Sequence, residues 1–357
     1  MSRIFIDRRG GLAWGKRAWR WGSVWLPALL LLTARAGAAG TGGADKENPG
    51  VAAFTGVNVI PMDRERVLKN QTVVVRADRI VEIGDAAKVK VPAGALQIDG
   101  RGKYLVPGLI DMHTHLFSDE SIPKRMADDE LAIMVANGVT TIRLMTGTPE
   151  QLVLREKVAK GELLGPTIYA ASPQLAGRAY GKVFNGYVVT TTEEARRAVK
   201  QSKAAGYDFI KLTTAITPPV YDAAIAAAKE AGIRVIGHVD PRVGTAHALA
   251  VGQQIEHLDS YMESVLRDDA PMKDSVSDYG VWKKPNWESL DYVDEQKVAA
   301  IAKATARAGI YTTPTLTFFK LCFAVEQSDA EMRAQTAQTV SRLFLRQTTR
   351  LPEGDER

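Results

Sequence analysis

The chain has 357 residues, 45% of them hydrophobic, and a single cysteine. That length and apolar content suit one large domain with a small satellite, and exclude a miniature scaffold stapled by disulfides. The formal charge of +5 is concentrated at the start: residues 1–38 carry seven basic side chains against Asp7, a net of +6, which leaves the remainder at −1. A nearly neutral body gives no electrostatic reason to expect nucleic acid or acidic lipid as a partner.

Residues 1–38 read as a cleaved secretory signal. A basic, Trp-containing stretch leads into Val24-Trp25-Leu26-Pro27-Ala28-Leu29-Leu30-Leu31-Leu32, and small residues follow at Ala36-Gly37-Ala38-Ala39-Gly40. The apolar run is about ten residues, short of the ~20 that span a bilayer. An uncleaved anchor is the competing reading, and Arg35 interrupts it. Arg8-Arg9 stands in too weak a context to assign twin-arginine export. The expected location is therefore periplasmic or secreted, with no stable membrane span after cleavage.

A linker over residues 39–51 leads to short β-branched runs within 52–104: Val57–Ile60, Thr72–Arg76 and Arg79–Ile83. Ala77-Asp78 reads as a tight hairpin turn. These strands are too few and too short for an independent core and should need partners from elsewhere in the chain.

From about Tyr104 the texture changes to apolar strands alternating with Ala-rich helices. Strands are expected over Leu105–His115, Gly138–Arg143, Thr167–Ala171, Gly206–Leu212, Gly232–His238, Gly252–His257 and Gly309–Thr313, with helices such as Thr192–Ala205, Pro219–Ala231 and Val293–Ala308. A glycine before most strands is the left-handed cap that ends the preceding helix. Seven βα units in succession predict a parallel (β/α)8 barrel over 105–357, with its chemistry at the C-terminal ends of the strands.

Four of the five histidines fall at such ends. His113 and His115, at i and i+2 of one strand, share a face and can chelate one ion. His238 closes the fifth strand and His257 the sixth, so the set predicts a metal site. His247 falls on a helix and reads as an ordinary helix residue. Lys211 ends the fourth strand: it is either an interior lysine paired with a carboxylate or an amine that takes up carbon dioxide as a bridging carbamate. Cys322, within Phe318–Phe323, reads as a buried hydrophobe.

Tyr104-Leu105-Val106-Pro107-Gly108-Leu109-Ile110-Asp111-Met112-His113-Thr114-His115 and Gly138-Val139-Thr140-Thr141-Ile142-Arg143 resemble the amidohydrolase superfamily. So do Asp208-Phe209-Ile210-Lys211, Gly237-His238-Val239 and Ile255-Glu256-His257-Leu258-Asp259. The likeness is to the branch of imidazolonepropionase and the secreted prolidase-like dipeptidases, over about residues 52–320. It implies that His113 and His115 bind a first divalent metal, most naturally Zn2+, that Lys211 bridges, and that His238 and His257 bind a second. It also implies a (β/α)8 barrel with residues 52–104 as the N-terminal half of a small β-sandwich, and a metal-activated water acting on a carbon–nitrogen bond of an amide, cyclic amide or short peptide.

The family's proton shuttle, an Asp ending an eighth strand, has no counterpart that the sequence makes plain. Residues 330–349 read as one amphipathic helix, and Asp355 lies in a polar tail. The expectation is a barrel whose eighth strand is missing, with open edges that invite pairing with another copy in a homo-oligomer. A catalytically silent or truncated metal-binding homologue is thus the alternative to an active hydrolase.

Overall fold

The computed structural model describes residues 50–116, 125–179, 186–271, 289 and 291–317. The expected signal segment 1–38, most of the linker, Cys322, the helix expected over 330–349 and Asp355 lie outside them.

Two compact units are present: residues 50–57 with 70–101, and residues 58–69 with 102–317. The first is built on β1 (Val51–Val59), β2 (Leu68–Arg76), β3 (Arg79–Asp85) and β4 (Leu96–Asp99), in the order β3-β2-β1-β4. Ala53, Val57, Thr72, Val73 and Val74 are buried, whereas Ile80, Val81, Ile83 and Leu96 are exposed. Among the described residues this is one sheet, without a facing second layer. A further short strand, β5 (Tyr104–Leu105), pairs in parallel with Asn58 and Val59.

The hairpin lies where the sequence puts it. Arg76 and Arg79 are paired, so Ala77 and Asp78 form a two-residue turn, and Ala77 takes a φ of 52°. A non-glycine residue in that region costs about 1–2 kcal/mol, against roughly 0.5–1 kcal/mol for the extra unfolded-chain entropy of glycine. Ala77→Gly is therefore expected to stabilise the chain, by up to about 1 kcal/mol. A thermal melt that falls on this substitution would contradict the turn geometry.

The second unit follows the βα rhythm read from the sequence. After β6 (Leu109–Thr114) come α1 (Arg125–Ala136), β7 (Val139–Leu144), α2 (Pro149–Ala159) and β8 (Thr167–Ala170). Two short strands, β9 (Gln174–Ala176) and β10 (Gly186–Val188), precede α3 (Thr192–Ala204). The chain continues through β11 (Phe209–Leu212), α4 (Pro218–Glu230), β12 (Arg234–Gly237) and α5 (Thr245–Ala250). It then forms β13 (Gln254–Glu256), α6 (Tyr261–Val265), α7 (Glu295–Ala308) and β14 (Thr312–Thr313).

Helix boundaries have local causes. Thr191 and Glu194 form a capping box at the start of α3, and Asp294 caps α7 through the backbone N–H groups of Gln296 and Lys297. Gly138, Gly206, Gly232, Gly252 and Gly309 all take positive φ between helix and strand, as the sequence predicts. The largest apolar cluster packs α3 and α4 against the sheet through Val199, Val220, Tyr221, Ile210 and Leu212. Each such side chain contributes about 1.5–3 kcal/mol by leaving water.

All seven expected strands pair in parallel and in chain order: β6-β7-β8, a bridge from Ala171 to Phe209, then β11-β12-β13-β14. A second buried cluster, Met145, Ala171 and Ile236 with Phe209, joins side chains of several of these strands. Arg143 of β7 bonds Gln254 and Glu256 of β13 and Thr313 of β14. In a flat sheet β7 and β13 would stand four spacings apart, roughly 19 Å, beyond the reach of any side chain. The parallel sheet is therefore rolled back on itself. Among the described residues no pairing joins β14 to β6.

Candidate metal centre

The four predicted histidines come together at the C-terminal ends of the strands. Ring centroids lie 5.3 Å apart for His113 and His115, 4.5 Å for His113 and His257, and 4.8 Å for His238 and His257. His257 reaches this group against the parity of its strand. Gln254 and Glu256 face the interior, so simple alternation would send the next residue outward, as it does Ile255, which packs with Val239, Ala248 and Leu249. His257 takes a φ of 60°, followed by Leu258 at 57° and Ser260 at 59°, and its backbone N–H donates to the Thr313 carbonyl. The left-handed break turns its ring toward His113, a conformation that persists only where surrounding contacts over-determine it.

Each ring is fixed through Nδ1. His113 meets Glu256 Oε2 at 2.7 Å, His238 meets Asp259 Oδ2 at 2.6 Å, and His257 meets Thr315 Oγ1 at 2.7 Å. His115 meets Thr146 Oγ1 at 3.1 Å, and Thr146 accepts a bond from Gln174 Nε2 on β9 at 2.6 Å. With Nδ1 engaged on all four, Nε2 is the ring atom suited to a ligand role.

Burial, reinforced by Lys211 and the neighbouring rings, pushes His113 and His257 down to about 2. It holds His238 well below the ordinary histidine value. His115 stands more open at the mouth, and desolvation by its crowded surroundings followed by His113 pushes it the same way. Neutral imidazole is the form that binds metal. Burial raises the Asp259 carboxyl to about 7, and its Oδ2 lies 2.6 Å from His238 Nδ1. Lys211 is 1% exposed, and burial lowers its amine to about 8 although Glu256 and Asp259 pull it upward.

Beneath the rings lies Arg143. Its Nε donates to the Met112 carbonyl at 2.7 Å, Nη1 to Gln254 Oε1 at 2.7 Å, and Nη2 to Glu256 Oε1 at 2.6 Å and Thr313 Oγ1 at 3.2 Å. The guanidinium therefore ties β6, β7, β13 and β14. The Arg143 and Glu256 side chains are 3% and 1% exposed.

Sequence reading finds the four histidines and Lys211 but misses the partners that hold them. Arg143, Glu256 and Asp259 stand inside recognised motifs without a role, and Thr146, Gln174 and Thr315 carry no signal. For Glu256 a signal exists: a carboxylate in an otherwise buried strand demands a cation. His247 lies on α5, apart from the other four, where its Nε2 meets Asp222 Oδ1 at 2.7 Å. That agrees with its reading as an ordinary helix residue.

Among the described residues no three His, Cys, Asp or Glu side chains are gathered into a ready-made coordination sphere. The donor chemistry still fits a divalent cation: four neutral imidazoles with oriented rings, and a buried amine beside them.

The amidohydrolase family model matches residues 104–341, more than half of the chain. The chain belongs to the amidohydrolase family. It is 31% identical over 137 residues to an imidazolonepropionase from Micrococcus luteus, a stretch covering 37% of this chain and 31% of that protein. With a dihydroorotase from Trichlorobacter lovleyi it shares 41% over 76 residues, 21% of this chain and 17% of that one. The chain thus spans under a third of the length of these curated relatives. A solved structure from Bifidobacterium longum, assigned as a prolidase, superposes with a TM-score of 0.57 at 26% identity, over 75% of this chain and 74% of that one. The family fold is of TIM-barrel type, in keeping with the rolled parallel sheet.

Arg143→Met leaves the Glu256 carboxylate buried without its cation. We expect a loss of about 3–5 kcal/mol in urea unfolding. A loss under about 1 kcal/mol, the range of an exposed pair, would contradict the central place given to Arg143.

Proposed function

We propose that this amidohydrolase is a metal-dependent hydrolase of carbon–nitrogen bonds in amides, cyclic amides or short peptides. The observation that carries the reading is the group of four imidazoles, each anchored at Nδ1, beside the buried Lys211. His113 and His115 would hold one divalent cation, His238 and His257 a second, with Zn2+ the natural choice for nitrogen donors. A bound cation of this kind lowers the pKa of water toward neutrality and polarises a carbonyl.

The chain's own part is orientation and charge. Glu256, Asp259, Thr315 and Thr146 hold the rings, while desolvation by their surroundings keeps them neutral. A Lys211 amine lowered to about 8 has an accessible neutral form. Its nitrogen could bond the carbon of CO2 with loss of a proton to solvent, and the resulting anionic carbamate could serve as a further oxygen ligand for a divalent cation. No described residue is assigned the task of passing a proton to the leaving nitrogen.

Similarity to an imidazolonepropionase, a dihydroorotase and a prolidase-assigned structure supports the substrate class. The basic and then apolar opening of the chain supports export to the periplasm. Among the described residues no helix is long and apolar enough to cross a membrane.

The test is a panel of dipeptides and cyclic amides offered to the zinc-loaded full chain, with His113→Ala as the control. Turnover that falls to background in the control is the expected result. Zinc retained without turnover above that control would favour the silent homologue instead.

A further inference from the structure

We propose that Glu256 is the positioning residue of His113, that Arg143 positions Glu256 in turn, and that together they select Nε2 of His113 as its ligand atom. The inference rests on the reading of His113 as a metal ligand and adds the device that prepares it.

The Nδ1 of His113 meets a carboxylate that is itself hydrogen-bonded to a buried guanidinium. Oε2 of Glu256 lies on His113 Nδ1, and Oε1 lies on Arg143 Nη2. Both oxygens are thus committed within the protein, which sets Glu256 apart from the ligands despite its nearness. An ionised carboxylate only accepts hydrogen bonds, so its partner nitrogen must carry the proton. Arg143, which can only donate, places a permanent cation against the carboxylate at Oε1.

The same guanidinium also fixes the backbone of the ligand strand. Its Nε holds the carbonyl of Met112, the residue before His113, while Asp111 Oδ1 accepts the backbone N–H of His113 at 3.0 Å. Arg143 therefore restrains His113 twice, through the main chain directly and through the ring by way of Glu256. Gln254 and Thr313 accept its remaining bonds and keep the guanidinium plane from turning. Thr146 and Thr315 meet their rings through uncharged hydroxyls, and Asp259, the carboxylate at His238, lies in the field of the buried Lys211.

The experiment uses full-length, metal-free protein labelled with 15N at histidine, with the His113 ring assigned by its loss in His113→Asn. Wild type should show His113 as a single tautomer protonated at Nδ1. Glu256→Gln, which can offer an N–H to the same nitrogen, should lose that uniformity and gain the Nε2-protonated form. Its zinc affinity, measured by competition with a chromophoric chelator, should weaken about 10- to 100-fold.

An Nε2-protonated His113 in wild type would overturn the proposal even if the variant fails to fold, and so would a tautomer unchanged in a folded Glu256→Gln. Should the tautomer follow Glu256 while wild type binds no zinc, the positioning stands and the metal reading of the site falls.

Discussion

A guanidinium and a carboxylate placed out of reach of water face each other at 2.6 Å between β7 and β13, and this contact governs much of what surrounds it. Removing either charge from water costs several kcal/mol, a penalty met only when the geometry is good and every remaining hydrogen-bonding position is used. Arg143 uses Nε, Nη1 and Nη2, and Glu256 uses both oxygens. The pair can be satisfied only if the sheet rolls until its second strand meets its sixth and seventh. Curvature, strand register and the aim of His113 therefore depend on one another: a shift of β7 or β13 by one residue would turn one charge of the pair away from the other.

Above this brace, the histidines gather by two different routes. His113 follows strand parity and lies two residues from Asp111 on the same face. His257 does not, and reaches the cluster because the backbone turns left-handed there, with Thr315, itself at a φ of 49°, receiving the ring. Such conformations cost on the order of 1–3 kcal/mol each. Three of them within His257–Ser260, with a fourth at Thr315, place local strain at the mouth while the layer beneath stays regular. The well-formed core around α3 and α4 can carry that cost.

These same features mark how far the sequence could be read. Periodicity and glycine placement were enough for the seven parallel strands and for the caps between helix and strand, because those depend on local propensity and backbone sterics. Gly138, Gly206 and Gly232 could hardly serve otherwise. The histidines were legible because four imidazoles at strand ends are chemically conspicuous. Arg143 and Glu256 were not paired in advance, since 113 residues separate them and only the roll of the sheet brings them together. Strands β9 and β10 were missed because three residues each, among glycine and proline, leave no periodicity to detect, yet β9 supplies the Gln174 that steadies Thr146. Ala77 shows the reverse case: its turn was plain from the flanking strands even though alanine is a poor choice for it.

The most direct test of the site as a whole is a count of divalent metal in the purified full chain by elemental analysis, beside the same count for Lys211→Ala. Retention of about one to two equivalents per chain, reduced in the variant, is the result predicted for anchored imidazoles gathered around a buried lysine. Metal near zero in the wild-type chain, after exposure to excess zinc and removal of the unbound ion, would contradict it. The four rings would then be a packed polar layer at the C-terminal ends of the strands, not a metal centre.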